Sequence, residues 1–168
     1  DNTMAIKILQ KVLAVRRNAI GNDHLDVSST LTYLGTIFYR KSMTSTAMKL
    51  FAESLRIRQA KLGKNHRDVS FTMYNIGLCH QLQGDLSEAV DCFTETLRVE
   101  TFVLGEAHKD VSITMFKLGE VYKAKGDLDR AMTNFQGALD IERNTLEQED
   151  PAAIARTLNE IGNIHLAR

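Results

Sequence analysis

Residues 105–122 read GEAHKDVSITMFKLGEVY, and two earlier stretches closely match them: GKNHRDVSFTMYNIGLCH at 63–80 and GNDHLDVSSTLTYLGTIF at 21–38. Each stretch begins 42 residues after the one before it. A period of roughly 20 to 50 residues is typical of stacked supersecondary units, none of which can bury its apolar face alone. The spacing therefore predicts a repeat protein, and by itself it predicts no chemistry.

One period contains two amphipathic helices. After Asp68, apolar and small residues recur with the spacing of one helical face as far as about Gln83, and we call this segment helix A. Gly84 interrupts the pattern, and a second stripe, helix B, runs from about Leu86 to Leu104. The glycine that follows each helix B is expected to be a left-handed stop, and the next aspartate is expected to lie in the first turn of the next helix A.

The same pattern extends over the whole chain. It predicts a helix B from about Thr3 to Ile20, three A/B pairs that start near Asp26, Asp68 and Asp110, and a last helix A near Pro151, after a one-residue insertion. The domain prediction is a single domain over 1–168. It divides into an incomplete repeat at 1–25, full repeats at 26–67, 68–109 and 110–151, and the first helix of a further repeat at 152–168. We expect the chain to be part of a longer repeat protein.

Two recurring columns of small residues predict where the helices of a pair approach each other. The glycine column lies in helix A and the alanine column lies in helix B, and their members are Gly35, Gly77 and Gly119, and Ala47, Ala89 and Ala131. A glycine inside a helix costs about 1 kcal/mol relative to alanine, so close packing must offset that cost. We therefore expect glycine to face alanine in each pair.

The order of these residues resembles the signature of the tetratricopeptide repeat. In the third period the signature positions are Met115, Leu118, Gly119, Tyr122, Gly126, Ala131, Phe135 and Ala138. The 42-residue length and the Gly-x-x-His-x-Asp-Val connection are similar to the kinesin light chain and nephrocystin-3 type of repeat. The resemblance implies an all-α, right-handed α-solenoid of antiparallel helix hairpins. It also implies a non-enzymatic scaffold for protein partners, and it names no partner.

Composition and charge argue against nucleic acids and membranes as partners. The chain has 21 Lys plus Arg and 21 Asp plus Glu, so its net charge is zero. A nucleic-acid binder or a protein of anionic membrane surfaces would be expected to carry a basic excess. No apolar run approaches the roughly 18 residues of a membrane-spanning helix. With only two cysteines, Cys79 and Cys92, we expect an intracellular, cytoplasmic protein without nucleic-acid or membrane partners.

The histidines of the connections are the most suggestive candidates for chemistry. His24, His66 and His108 recur with the repeat, but equivalent residues of stacked repeats lie too far apart to share one ion, because helix axes are already 8 to 10 Å apart. We expect each histidine to brace its own connection by bonding the backbone at the following helix start. No nucleotide-binding, hydrolase or metalloprotease motif occurs, so we expect no enzyme, no cofactor and no metal.

The remaining candidate is a partner-binding surface. In a right-handed stack of hairpins the A helices line the concave side, and the residues about a third of a turn from the core stripe face the groove. These residues vary between repeats, as the recognition of an unsymmetrical ligand requires. The predicted groove residues are Tyr33, Tyr39, Phe71, Tyr74, Asn75, Leu78, Phe116, Lys117, Glu120, Lys123, Asn159 and Asn163.

Three functional hypotheses remain open at the level of sequence. The first is a scaffold that receives a peptide segment of a protein partner in the groove, with Tyr74, Phe116, Asn75 and Lys117 as its main contacts. The second is a structural module that stacks on copies of itself or on a neighbouring subunit through uncapped ends. The third is a regulatory sensor that winds or unwinds around a short peptide.

Overall fold

The computed structural model describes residues 2–146 and 150–167, and in these ranges it contains eight α-helices and no strand. The chain divides into two compact units, Asp1–Asp85 with the first four helices and Leu86–Arg168 with the last four. The helices are α1 (Asn2–Ile20), α2 (Leu25–Arg40), α3 (Thr44–Leu62), α4 (Arg67–Gln83), α5 (Leu86–Leu104), α6 (Lys109–Ala124), α7 (Leu128–Leu146) and α8 (Pro151–Ala167).

The predicted helices are confirmed in number, order and approximate bounds. Helices α2, α4, α6 and α8 are the A helices, and α1, α3, α5 and α7 are the B helices. The predicted stops are also confirmed, because Gly63 and Gly105 have φ of 79° and 89°, a left-handed region that favours glycine. The all-α fold class is confirmed, whereas the division into repeats at the stated boundaries stays a prediction.

The three connection histidines are N-caps. In each case Nδ1 accepts a hydrogen bond from the backbone N–H two residues later, at 3.1 Å from Asp26 to His24, 3.0 Å from Asp68 to His66, and 3.1 Å from Asp110 to His108. The imidazole thus satisfies one of the free N–H groups at the start of α2, α4 and α6. The expectation that these histidines brace the backbone is confirmed.

Replacing His66 tests the cap. We expect His66→Ala to lower the free energy of unfolding by about 1 kcal/mol, because the Asp68 N–H at the start of α4 loses its acceptor. We expect His66→Asn to lower it by less, because asparagine can cap in the same way. Urea unfolding followed by circular dichroism measures both. Lys64→Ala, an exposed change in the same connection, is the control. Equal losses for the alanine and asparagine variants would contradict the capping role.

Hairpin α2/α3 forms the core of unit 1. Gly35 of α2 lies against the Phe51 ring of α3, and Thr32 Oγ1 lies 2.8 Å from Ser54 Oγ. Residues farther along α2 thus meet residues farther back on α3, which makes the helices antiparallel. A Cβ at Gly35 would lie 2.6 Å from Phe51 Cε1, a distance that no real Cβ contact tolerates. The nearest neighbour of this glycine is therefore a phenylalanine ring, whereas the sequence pattern predicted alanine at the closest approach.

Hairpin α6/α7 repeats this arrangement in unit 2. A Cβ at Gly119 would again lie 2.6 Å from a ring carbon, in this case Cε1 of Phe135. The surrounding apolar cluster also contains Ala131, Ala138 and Ile164, the last of which comes from α8. Glycine lets the flat ring of helix B lie directly on the backbone of helix A, and the alanine of the signature packs beside that contact.

A column of charged side chains, of which all but the first are buried, lies on the B helices where each faces the A helix that follows it. Its members, Arg16, Arg58, Glu100 and Glu142, are 42 residues apart. The first three bond to threonine hydroxyls of the next helix: Arg16 Nη1 donates to Thr30 Oγ1 and Arg58 Nη1 donates to Thr72 Oγ1, each at 2.7 Å, and Thr114 Oγ1 donates to Glu100 Oε2 at 2.7 Å. The apolar periodicity of the sequence does not predict these contacts.

The last member of the column, Glu142, lies between α7 and α8 with 1 % of its surface exposed, and its Oε2 has no hydrogen-bond partner. Burial raises the pKa of the Glu142 carboxyl and the charge of Asp150 adds to the rise, while the Thr157 hydroxyl and the Arg156 charge oppose it. The folded state therefore binds this proton more tightly than the unfolded state does. The stability that this preference contributes is fully present below the unfolded pKa of about 4.3 and is lost as the pH rises through the raised folded pKa.

Neutralising Glu142 should consequently stabilise the chain at neutral pH. We expect Glu142→Gln to raise the melting temperature at pH 7 and to leave it close to the original value near pH 4, where the acid is already protonated. Thermal unfolding over pH 4 to 8 measures the difference, with the exposed Glu106→Gln as the control. A lower melting temperature for Glu142→Gln at pH 7 would show that the charged form is the stabilising one.

Candidate partner-binding surface

In unit 1, the A helices α2 and α4 contact each other and expose two aromatic rings. Tyr33 on α2 has 63 % of its surface exposed, and Phe71 on α4 has 51 %. The neighbouring hydroxyls of α2 bond its own backbone, since Thr32 Oγ1 donates to Ser28 O and Thr36 Oγ1 donates to Thr32 O. This part of the predicted surface therefore offers mainly apolar contact area to a partner.

The other predicted residues of unit 1 are more covered. Tyr74 and Leu78 are half-buried on α4, and Tyr39 packs against the core cluster that includes Phe51. Asn75 is buried, and its Nδ2 donates to Phe71 O at 2.7 Å, one turn back along α4. The expectation that Asn75 presents its amide to a ligand is wrong, because the amide bonds its own helix.

In unit 2, Phe116 is part of the core. It is 3 % exposed, its ring centroid lies 5.2 Å from that of Phe135, and the Arg156 guanidinium carbon lies over the ring, 4.3 Å from its centroid. The expectation that Phe116 is an open groove residue is wrong. The helical wheel places it a third of a turn from the core stripe, but the next A helix, α8, packs over that position.

The polar residues predicted for unit 2 form ion pairs. Lys117 Nζ lies 2.7 Å from Glu120 Oε2 on the same helix, and Lys123 pairs with Glu160 of α8. All four side chains are partly exposed, and each lysine is balanced by a glutamate. This surface thus carries polar groups without an excess of positive charge. Two exposed amides of α8 lie beyond it, those of Asn159 and Asn163.

Neither thiol has the environment of a nucleophile. Burial raises the pKa of the Cys79 thiol to about 11. The pKa of Cys92 is also raised, by burial and by the nearby charges of Asp91 and Glu88. Cys79 is buried, and Cys92 is the less buried of the two. Within residues 2–146 and 150–167, no group of three His, Cys, Asp or Glu side chains is arranged to hold a metal ion.

The family is decided by a sequence model of the tetratricopeptide repeat, which matches residues 1–60, 45–99 and 69–144. The chain belongs to the tetratricopeptide repeat family. The resemblance inferred from the repeated signature is thereby confirmed. Repeats of this family generally mediate protein–protein interaction, and the fold is typically a non-enzymatic scaffold. No curated protein matches the chain.

Solved structures support the same fold. The chain is similar to BtubC (BKLC) from P. vanneervenii, with 22% identity and a TM-score of 0.91 over 99% of this chain and 66% of that one. It is also similar to a kinesin light chain-like protein of Podosopora anserina with nearly identical TPR-like repeats, with 18% identity and a TM-score of 0.82 over 99% and 78% of the two chains.

A third similar structure is the type III secretion translocator chaperone SycD of Yersinia enterocolitica, with 18% identity and a TM-score of 0.66 over 84% of this chain and 86% of that one. At these identities the likeness concerns the fold alone. The chain spans 66% of the length of the BtubC structure. None of the helices described in residues 2–146 and 150–167 is both long and apolar enough to span a bilayer.

Proposed function

We propose that this chain is a non-enzymatic protein-interaction module that binds a peptide segment of a protein partner on its A helices. The observation that supports the proposal is the exposure of Tyr33 and Phe71 on neighbouring A helices of unit 1. Large aromatic residues that a soluble fold leaves exposed are enriched at partner-binding sites, where they supply contact area at low cost in side-chain entropy.

The surface favours a segment with an apolar or aromatic anchor and few charges. In unit 1 the exposed area is aromatic, and in unit 2 Lys117 and Lys123 are each neutralised by a glutamate. A terminal carboxylate would have to compete with Glu120 or Glu160 for these lysines. We therefore do not propose that these lysines bind the terminal carboxylate of a peptide. The zero net charge of the chain argues against a nucleic-acid ligand.

Most of the groove residues predicted from sequence are also proposed here to contact the peptide. We assign direct contact to Tyr33, Phe71 and the half-buried Tyr74 and Leu78 in unit 1. In unit 2 we assign polar contact to the residues that remain partly or fully exposed, namely Lys117, Glu120, Lys123, Asn159 and Asn163. The buried Phe116 and Asn75 are left out of the contact set.

Selection from a displayed library of random 12-residue peptides tests the proposal. We expect selected peptides to bind the chain and to lose about tenfold or more in affinity when Tyr33→Ala and Phe71→Ala are combined, because central aromatic residues of an interface each contribute 1 kcal/mol or more. Both rings are exposed, so the melting temperature should stay nearly unchanged.

The control is Phe102→Ala, which removes a ring of the B helix α5 that is more exposed than either Tyr33 or Phe71. It should leave the affinity of the selected peptides within twofold of the original value. Peptides that depend on Phe102 but tolerate loss of Tyr33 and Phe71 would place the working surface on the B helices and contradict the proposal.

A further inference from the structure

A shallow depression of about 370 Å³ lies between the B helices α5 and α7 of unit 2. One side is formed by Leu97 and Thr101 of α5 and the other by Gly137 and Ile141 of α7, so each helix contributes two residues one turn apart. The A helix α6, which packs against both B helices, contributes Met115 to the lining. A depression framed by two neighbouring helices in this way can receive a side chain from another element.

Gly137 keeps this depression open. It is not a glycine of the repeat signature, since the residues 42 and 84 positions earlier are Glu95 and Glu53. It also does not lie in the left-handed region that favours glycine. A Cβ at this position would collide with the terminal methyl group of Met115. A glycine inside a helix is destabilising relative to alanine, so what this one provides is space.

An arginine crosses the equivalent position of unit 1. Thr101 and Gly137 correspond to Arg17 and Glu53, which lie 84 residues earlier in the chain. Arg17 reaches from α1 to α3, where its Nη2 donates to the two carboxylate oxygens of Glu53 at 2.7 and 2.8 Å, and its Nε is buried. Unit 1 therefore holds its own guanidinium group at the position that threonine and glycine leave open in unit 2.

Glu106 gives the open position a negative charge. Of the residues that line the depression it alone is ionisable, and it is exposed in the connection between α5 and α6. Its carboxylate takes no part in the ion pairs described within residues 2–146 and 150–167. A mainly apolar lining with such a carboxylate is complementary to a side chain that has a long aliphatic stem and a positive end.

We infer that this depression is a docking site for an arginine side chain of a protein partner. The aliphatic stem would lie against Leu97 and Ile141, and the guanidinium group would meet the carboxylate of Glu106. The partner would thus supply from outside the group that Arg17 supplies in unit 1. Arginine fits better than lysine, because its planar guanidinium group can donate two hydrogen bonds to one carboxylate. The inference goes beyond the proposed function, because it uses the B helices of unit 2 and none of the aromatic contacts assigned to the A helices.

Methyl NMR spectroscopy with a defined peptide tests the site. The probe is an acetylated and amidated pentapeptide with one arginine between two pairs of alanines, and its neutral counterpart carries citrulline instead of arginine. We expect the arginine peptide at millimolar concentrations to shift the methyl signals of Met115 and Ile141 in a saturable manner, while the exposed Met43 of unit 1 stays in place. The citrulline peptide should bind about threefold more weakly, because an exposed ion pair changes an affinity by up to about fivefold.

Neutralising the carboxylate tests the role of charge. Glu106→Gln should remove the preference for arginine over citrulline, because only the ion pair distinguishes the two peptides. Glu88→Gln, the same change at an exposed position of α5 that does not line the depression, should leave the preference intact. Equal affinity of the unmodified chain for both peptides, or a preference that survives Glu106→Gln, would overturn the inference.

Filling the depression from within the chain tests the role of space. Thr101→Arg combined with Gly137→Glu rebuilds the ion pair that unit 1 forms at this position, and the flexible end of Met115 can move aside for the new side chain. We expect this double variant to keep its helical circular dichroism spectrum and to lose the peptide-dependent shifts. Shifts that persist in the folded double variant, or the absence of a saturable shift in the unmodified chain, would each overturn the inference.

Discussion

Replacing Gly119 with leucine is expected to lower the free energy of unfolding of unit 2 by about 3 kcal/mol or more, the upper end of the range for overpacked cores. The Phe135 ring lies where the first added atom would have to be, and this ring is fully buried among Ala131, Ala138 and Ile164. Neither the ring nor the helix backbone can move without opening the cluster.

The matched control is the same substitution at Gly162. This glycine holds the equivalent position on α8, but nothing lies within 4 Å of its Cβ position. Because leucine is a better helix former than glycine by nearly 1 kcal/mol, Gly162→Leu should leave stability unchanged or slightly raised. Urea unfolding of both variants at a concentration where the chain is monomeric measures the contrast. Similar losses at the two positions would show that the glycines serve local backbone conformation and not the contact with the ring.

The second large effect is expected at Arg58. Its Nη1 donates to Asp68 O at 2.9 Å and to Thr72 Oγ1 at 2.7 Å, although only 6 % of the residue is exposed. Burial lowers the pKa of the guanidinium and the charge of Asp68 opposes this shift, so the group stays charged. We expect Arg58→Met to lower the free energy of unfolding by about 2 to 4 kcal/mol, because the buried Thr72 hydroxyl between α3 and α4 loses its donor and the Asp68 carbonyl keeps only the Thr72 hydroxyl as a side-chain donor.

Arg56→Met is the control for this prediction. Arg56 lies two residues before Arg58 on α3. It forms an ion pair with Asp23 at 2.6 Å, but both side chains are more than half exposed. An exposed ion pair of this kind contributes below about 1 kcal/mol. Thermal and urea unfolding of the two variants give the comparison. A loss at Arg56 as large as that at Arg58 would mean that burial does not decide the contribution of these arginines.

The features that could be predicted from sequence are those that depend on local chain chemistry. The helices follow from apolar periodicity, and their ends follow from glycines such as Gly63 and Gly105, which lie in the left-handed region. The histidine caps could be inferred because His66 and its equivalents precede an aspartate in the first turn in every full period. Such signals lie within a few residues of the feature that they specify.

The features that could not be predicted depend on which helix covers which face. A helical wheel gives the direction of Phe116 but not the neighbour in that direction, and α8 turns a predicted groove residue into a core residue. The prediction for Asn75 was wrong for a different reason. Its amide group donates to the carbonyl of Phe71 one turn earlier on the same helix. Tyr33 and Phe71 remained exposed because no helix of unit 1 packs over them.

The column of charged residues carried a signal that periodicity alone could have revealed. Positions 16, 58, 100 and 142 are all charged, and each is followed 14 or 15 residues later by a threonine of the next A helix. Charged residues on a B helix are ordinarily read as solvated. Only the structure shows that Arg58 and Glu100 lie between helices, bonded to Thr72 and Thr114.

We propose above all that the exposed residues of the A helices bind a peptide, and a chemical-shift map tests this most directly. The chain, labelled with ¹³C in its aromatic rings, would be titrated with a peptide obtained from the displayed library. The account predicts that the ring signals of Tyr33, Phe71 and Tyr74 shift in a saturable manner while that of Phe102 on α5 stays in place. Saturable shifts confined to Phe102 and other residues of the B helices would contradict it.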